Sequence, residues 1–134
     1  MSREIKFRVY DKEKNMWTNF KIFDNIMYFM DKNTGVWFHE KYKAKERFAL
    51  MQYTGIKDKN GKEIYEGDII KYKFPYDRRL NHISPVKFLE TEASFGIKDI
   101  YGNEIPLYRI TANNYFEVVG NIYENPELLE EKNG

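Results

Sequence analysis

The sequence predicts a mainly β protein, a small antiparallel barrel with an N-terminal β lobe and one short C-terminal helix. Three observations carry this expectation. Apolar and polar residues alternate with period two, the pattern of half-buried strands. Aromatic residues make up 17% of the chain, with eleven Tyr and ten Phe, while alanine is scarce. That composition suits strands better than a helix bundle. Turn residues recur about every ten positions, the spacing of short strands in a barrel or sandwich. At 134 residues the chain has room for one proper core and a small extra lobe.

The elements follow in order. Ile5, Phe7 and Val9 alternate with Lys6, Arg8 and Tyr10, which predicts a first strand. Residues 11–15 form a charged turn, and residues 17–23 a second β-type run. Residues 27–30 and 36–38 read as a short hairpin across Asp31-Lys32-Asn33-Thr34-Gly35. The strongly charged stretch 41–47 is the expected joint. It divides an N-terminal β lobe, residues 1–47, from a barrel with its C-terminal helix, residues 48–134.

The centre of the chain is the most informative part. Ile56-Lys57-Asp58-Lys59-Asn60-Gly61-Lys62-Glu63-Ile64-Tyr65 reads as a hairpin. Two turns fit it: a two-residue type I′ turn on Asn60-Gly61, or a type I turn with Gly61 left-handed in a bulge. A second copy decides between them. Ile97-Lys98-Asp99-Ile100-Tyr101-Gly102-Asn103-Glu104-Ile105 keeps Asp at the turn's opening and Gly three residues later, but not Asn before Gly. Both hairpins are therefore expected to use the type I turn and glycine bulge, with Asp58 and Asp99 bonding turn amides. The registers follow: Lys57 opposite Glu63 and Ile56 opposite Ile64, then Lys98 opposite Glu104 and Ile97 opposite Ile105. Shared turn chemistry explains the likeness without a duplicated domain.

Glu66-Gly67-Asp68 then makes a corner, with Gly67 and Asp68 as structural turn residues. The following run puts Ile70, Tyr72 and Phe74 on one face, with Ile69, Lys71 and Lys73 on the other. Residues 75–85, holding Arg78, Arg79 and His82, read as an exposed polar loop. Strands are expected over 86–90, 93–98, 105–110 and 115–119. Asn125-Pro126-Glu127 supplies an N-cap, a proline at the first helical position and an acid in the first turn of the one expected helix. A Gly-Asp corner feeding a strand, a loop and further strands reads as an SH3-like barrel.

Composition also narrows the chemistry. The chain has no cysteine, which excludes disulfides, thiolate metal sites and a cysteine nucleophile. The start, Met-Ser-Arg-Glu-Ile-Lys, has no apolar signal core, and the longest apolar stretch, 26–30, is too short to span a bilayer. The expected location is cytoplasmic, with no membrane partner. With 22 basic and 21 acidic residues the whole chain is no polycation.

Catalytic and metal patterns fail one by one. Placing Gly61 sixth in a calcium loop would put Ile56 first and Gly67 twelfth, and neither side chain offers an oxygen. His39 and His82 lack metal-ligand spacing and read as solvated surface residues. Gly61-Lys62 and Gly55 make no phosphate-binding fingerprint. Only Ser2, Ser84 and Ser94 are present, in no nucleophile motif. Glu63, Glu66 and Asp68 cluster at the corner, where pairing of Glu63 with Lys57 and turn bonding by Asp68 account for them. No cofactor, metal or catalytic residue is expected.

Nucleic acid is the ligand with most support among these patterns. Residues 41–79 hold eleven basic and six acidic residues. Lys41, Lys43, Lys45 and Arg47 recur at period two, one face of an extended segment. Lys71, Lys73, Arg78 and Arg79 lie among Tyr72, Phe74 and Tyr76, so phosphate contacts and base stacking are both available.

Three blocks carry a family resemblance: Arg3-Glu4-Ile5-Lys6-Phe7-Arg8-Val9-Tyr10-Asp11, the central run from Met51 through Ile70, and Phe116-Glu117-Val118-Val119-Gly120-Asn121-Ile122-Tyr123-Glu124-Asn125-Pro126. With these the chain resembles the YopX family along essentially its whole length. Only Tyr10 departs noticeably, where the family pattern has Trp. The resemblance implies a phage or prophage protein, folded partly as an SH3-like barrel, of uncharacterised function, and it carries over no catalytic residue. The expected function is a non-enzymatic interaction module that binds a phage or host protein, with self-association as one arrangement. An edge strand or an aromatic-lined groove would make the contact. The alternative is a nucleic-acid-binding module using the basic and aromatic segment 41–79.

Overall fold

Aspartate starts four of the hairpin turns, and the backbone geometry shows why. A carboxylate at the head of a turn can accept the amides that the turn leaves unpaired. The computed structural model of the chain describes residues 4–39, 44–73, 82–109 and 115–131. In it Asp58 Oδ1 accepts from Asn60 N at 2.8 Å and Lys62 N at 2.9 Å, and Gly61 N donates to Asp58 O at 3.0 Å. Asp99 repeats this with Tyr101 N and Asn103 N, both at 2.9 Å, and Gly102 N donates to Asp99 O at 3.0 Å. Gly61 and Gly102 take φ of 81° and 84°, the left-handed bulge expected of each. Lys57 lies opposite Glu63, Lys98 opposite Glu104 and Ile97 opposite Ile105. The first hairpin departs from a regular ladder before Lys57. A register shift separates that pair from Tyr53 opposite Tyr65.

The fold is mainly β, with antiparallel sheets, a curled half-barrel and two short helices. The chain forms two compact units, one of residues Lys6–Gln52 and one of Tyr53–Gly134 together with Met1–Ile5.

The first unit holds β1 (Phe7–Asp11), β2 (Met16–Thr18), β3 (Phe20–Phe23), β4 (Ile26–Asp31), β5 (Val36–His39), α1 (Ala44–Arg47) and the start of β6 (Phe48–Lys57). β1 pairs antiparallel with β2 on one side and with β6 on the other, while β3, β4 and β5 form a second three-stranded sheet. Val9, Phe29, Ala44 and Phe48 are buried together, with Phe20, Met27, Phe38 and Leu50 packed on them. Phe29 and Phe48 stack at 5.2 Å. Burial in β1 falls on both faces, since Tyr10 is as enclosed as Val9 while Ile5 is exposed. The run expected over 17–23 is two strands, and Asp24 and Asn25, at φ of 52° and 61°, make the two-residue turn from β3 to β4.

In the second unit the rest of β6 pairs with β7 (Glu63–Tyr65). β8 (Asp68–Tyr72) lies between β9 (His82–Pro85) and β13 (Phe116–Asn121), and β10 (Lys87–Leu89), β11 (Ser94–Lys98) and β12 (Glu104–Pro106) form a further sheet. Ile64, Ile70, Tyr72, Val86, Ile97, Leu107 and Phe116 make its core. Ile70 and Tyr72 point inward as expected and Lys71 and Lys73 are exposed, but Ile69 is also fully buried. Phe74 lies outside the described residues.

Three expectations need correcting. Part of the loop expected over 75–85 is strand β9, whose residues pair with β8 from Ile69–Pro85 to Tyr72–His82. The strand expected over 105–110 ends at Pro106, and Leu107–Arg109 form a 3₁₀ turn. The C-terminal helix, α2 (Glu127–Glu131), is joined by a second helical turn, α1, in the stretch expected to be extended.

The Asp58 turn does more than close its own hairpin. Its second carboxylate oxygen accepts Val118 N at 2.9 Å, and Lys59 N donates to Phe116 O at 2.9 Å. One aspartate thus ties the β6–β7 hairpin to β13, sixty residues away. Replacing it removes an ionic acceptor from three amides at once. Asp58→Ala is expected to lower stability by about 2–3 kcal/mol. Asp99→Ala, whose two acceptor bonds to backbone amides stay within its own turn, should cost about 1 kcal/mol. Urea unfolding of the two variants tests the order.

Candidate functional site

A concavity lies in the second unit, where the chain changes sheets. β9 pairs with β8 and β10 pairs with β11, so the strand direction breaks at Val86 between them. Backbone bonds hold this break to the Gly67–Asp68 corner: Gly67 N donates to Val86 O at 2.9 Å and Val86 N to Asp68 O at 2.8 Å. Gly67 has φ of 88°, and Asp68 Oδ2 accepts Tyr65 N at 2.7 Å. The corner is therefore structural, with Asp68 buried and bonded to a turn amide.

Side chains, rather than a ladder, join β8 and β9 to β11. Ser84 Oγ accepts Lys98 N at 3.2 Å, and the Tyr72 hydroxyl donates to Lys98 O. Burial pushes the Tyr72 phenol well above the usual tyrosine range, and the nearby Asp99 carboxylate pushes the same way. Ser84 is thus a bonded core residue, and His82 packs edge-on to Tyr72 at 6.1 Å. Next to this seam opens a pocket of about 260 Å³. Leu89, Ile97 and Phe88 give it apolar walls, Leu129 of α2 closes one side, and Lys87 and Lys98 stand at its charged part with Glu104. Gly96 is essential to this shape. A Cβ there would meet Leu89 Cδ1 at 2.2 Å and the Ile105 carbonyl at 2.5 Å.

The basic residues singled out in the sequence do different things. Arg47 lies between two turn aspartates of the first unit. Its Nε and Nη2 donate to Asp11 at 2.9 and 2.8 Å, and Nη2 also donates to Asp31 at 2.8 Å. Its guanidinium lies over the Phe38 and Phe48 rings, 5.0 and 4.8 Å from their centroids. Each aspartate braces its own turn as well: Asp11 accepts Glu13 N and Lys14 N, and Asp31 accepts Asn33 N and Thr34 N. Arg47 is committed to these bonds. Because α1 is helical, Lys45 and Arg47 do not share the face that an extended segment would give them. Lys45 is exposed. Lys71 and Lys73 are exposed in the second unit, where Lys71 lies directly opposite Glu117, itself 3.7 Å from Lys59 Nζ. Lys41, Lys43, Arg78 and Arg79 lie outside the described residues.

Sequence reasoning missed the aromatic character of the β3–β5 sheet. Phe20, Phe29 and Phe38 align on its core side, while the opposite face carries Lys21, Tyr28 and His39 in one cross-strand row, with Trp37 beside Met30. Lys21 Nζ stands 4.2 Å from the Trp37 ring centroid, and Tyr28 meets His39 edge-on at 5.7 Å. His39, expected to be solvated, is half-buried and packed edge-on against Tyr28. The period-two pattern 21, 23 against 20, 22 was the available signal, hidden because aromatic residues occupy both faces.

Among the described residues no group of three His, Asp or Glu side chains has metal-binding geometry. No helix among them is long and apolar enough to cross a membrane.

These features define a class: a mainly β protein of two compact units whose hairpins are braced by buried aspartates. The chain belongs to the YopX family, whose model, described as YopX protein, matches residues 6–130. Two solved structures resemble it along nearly their whole length. Protein EF1440 from Enterococcus faecalis is 24% identical, with a TM-score of 0.63 over 96% of this chain and 99% of that one. Protein yopX from Bacillus subtilis is 22% identical, with a TM-score of 0.61 over 96% and 97%. At these identities the likeness is one of fold. No curated protein matches the chain.

Two outcomes test this geometry. Gly96→Ala should destabilise the protein by about 1–3 kcal/mol through overpacking, measured by urea unfolding. The Arg47 clamp should appear as acid sensitivity. Burial pushes the Asp11 carboxyl up, but hydrogen bonds from Arg47 and from the Lys14 and Glu13 amides outweigh it and leave the group below its ordinary value. At Asp31 the Arg47 bond is the largest influence and also lowers it. Both folded values thus lie below the unfolded value of about 4. Their stabilisation is complete above that pH and is lost as pH falls through the lowered values. Arg47→Met should reduce stability at neutral pH and flatten the acid limb of a plot of melting temperature against pH.

Proposed function

We propose that this chain is a phage- or prophage-encoded, non-enzymatic interaction module, built on an SH3-like half-barrel and acting in the cytoplasm on a protein partner. The observation that carries the reading is the pocket beside the β9–β11 seam. Leu89 and Ile97 are apolar lining, and Phe88 beside them stands 48% exposed. A concave apolar site with a few polar groups is the general form of a recognition pocket. Its size suits one anchoring side chain, such as leucine or phenylalanine, and lysines at the edge would orient the flanking backbone or charges.

The fate of the carboxylates supports a binding role over a catalytic one. Of the corner carboxylates Glu63, Glu66 and Asp68, Asp68 is buried and accepts the Tyr65 amide, so it serves the fold, as the turn residues Asp58 and Asp99 do. The nucleic-acid alternative through segment 41–79 loses Arg47 from its set, because that guanidinium is bound to Asp11 and Asp31.

Phe88→Asp, Lys87→Glu and Lys98→Glu change the pocket without touching the core. Affinity capture from host cells carrying the phage or prophage should retain a partner with the unaltered chain. Phe88→Asp should release it at an unchanged melting temperature. Retention of the same partner by all three variants would remove the pocket from the reading.

A further inference from the structure

We propose that the outward face of the β3–β5 sheet binds a single strand of nucleic acid by base stacking and phosphate charge alone. This surface lies in the first unit, and the inference stands apart from the pocket reading above. The strand registers place Lys21, Phe23, Ile26, Tyr28, Met30, Trp37 and His39 on this face, with Lys21 opposite Tyr28 opposite His39 and Met30 opposite Trp37. The core-side positions Phe20, Met27 and Phe38 pack against the buried cluster, which confirms the assignment of the two faces.

The chemistry of this face is unusual for a sheet that needs only to be soluble. Every strand supplies a flat ring: Phe23 from β3, Tyr28 from β4, Trp37 and His39 from β5. Phe23 is 67% exposed, and Tyr28, Trp37 and His39 keep part of their surface in water. The charged residue among these positions is a lysine, and none of them carries a carboxylate. A partner that matches must offer planar groups to the rings and negative charge to Lys21. A nucleic-acid strand does both, since every base has a π face and every linkage a phosphate.

Lys21 already shows where a ligand's planar group would lie. Its ammonium stands 4.2 Å from the Trp37 centroid and 5.9 Å from that of Tyr28. A base entering over Trp37 would displace the ammonium outward, toward the strand's phosphates. Antiparallel sheets with aromatics on neighbouring strands stack two or three bases in this way. Stacking on a base and attraction to a phosphate do not depend on the sugar's 2′-hydroxyl. The face should therefore accept DNA and RNA strands alike.

The test uses the full chain with fluorescein-labelled oligothymidylate and oligouridylate of about ten nucleotides, within the site sizes usual for such surfaces. Fluorescence anisotropy should give comparable affinities for the two. Trp37→Ala and Tyr28→Ala should each weaken binding about 5- to 150-fold, the range of one base–aromatic stack. Lys21→Gln should reduce the slope of log affinity against log salt by about 0.7. Lys71→Gln and Lys73→Gln should leave binding unchanged. If an aromatic variant fails to fold, Lys21→Gln and mapping of amide chemical shifts on the unaltered protein decide instead, with changes expected at residues 21, 23, 28, 37 and 39. Four results would overturn the proposal: no binding, binding of RNA alone, binding lost only with Lys71 or Lys73, or a protein partner released by Trp37→Ala while the oligonucleotides are ignored.

Discussion

Backbone amides at tight turns need acceptors, and in this chain buried aspartates supply them. Asp11, Asp31, Asp58, Asp68 and Asp99 are each under a tenth exposed, and each accepts at least one backbone amide. An ionised carboxylate has no donor role, so its oxygens can brace several N–H groups at once. Many short strands joined by such turns make a fold with few long helices to organise it. The turns carry the order that a helix core would otherwise supply. Asp58 is the extreme case, because it joins a local hairpin to β13 as well as closing its own turn.

The same device explains Arg47. Asp11 and Asp31 head two turns of the first unit, and each has a carboxylate oxygen left for a long-range partner. One guanidinium answers both, and the Phe38 and Phe48 rings hold it flat. A planar fork with fixed donors suits two carboxylates better than a lysine ammonium would. The bond to Asp11 holds the Arg47 guanidinium's pKa further above the usual arginine range, against the opposing effect of burial. A residue that looks like part of a basic surface is therefore internal wiring.

This bracing leaves two surfaces over. In the second unit the strand break at Val86 separates β9 from β11 and opens a pocket beside the bonded Ser84 and Lys98. In the first unit β3, β4 and β5 bury one row of phenylalanines and leave a second row of aromatic rings on the far side. Both features arise from one fact: a chain so rich in aromatics has more rings than its small cores can enclose. The surplus lies at the surface, beside a concave pocket in one unit and on a flat sheet face with Lys21 in the other.

Local chemistry determined much of this from the sequence alone. The two Asp-to-Gly turns, three of their four expected cross-strand pairs, the inward set Ile70 and Tyr72, and the short C-terminal helix all depend on residues close in the chain. Turn type and alternation are set by steric and hydrogen-bonding preferences that need no distant partner. The tertiary structure alone decided what depends on residues far apart. The bond from Asp58 to Val118, the capture of Arg47 by Asp11 and Asp31, the packing of His39 and His82 against tyrosines, and strand β9 inside an apparent loop are of this kind. An exposed cation and a buried one have the same letter in a sequence. Only the arrival of two carboxylates and two rings around Arg47 distinguishes them, and that meeting is a property of the folded chain.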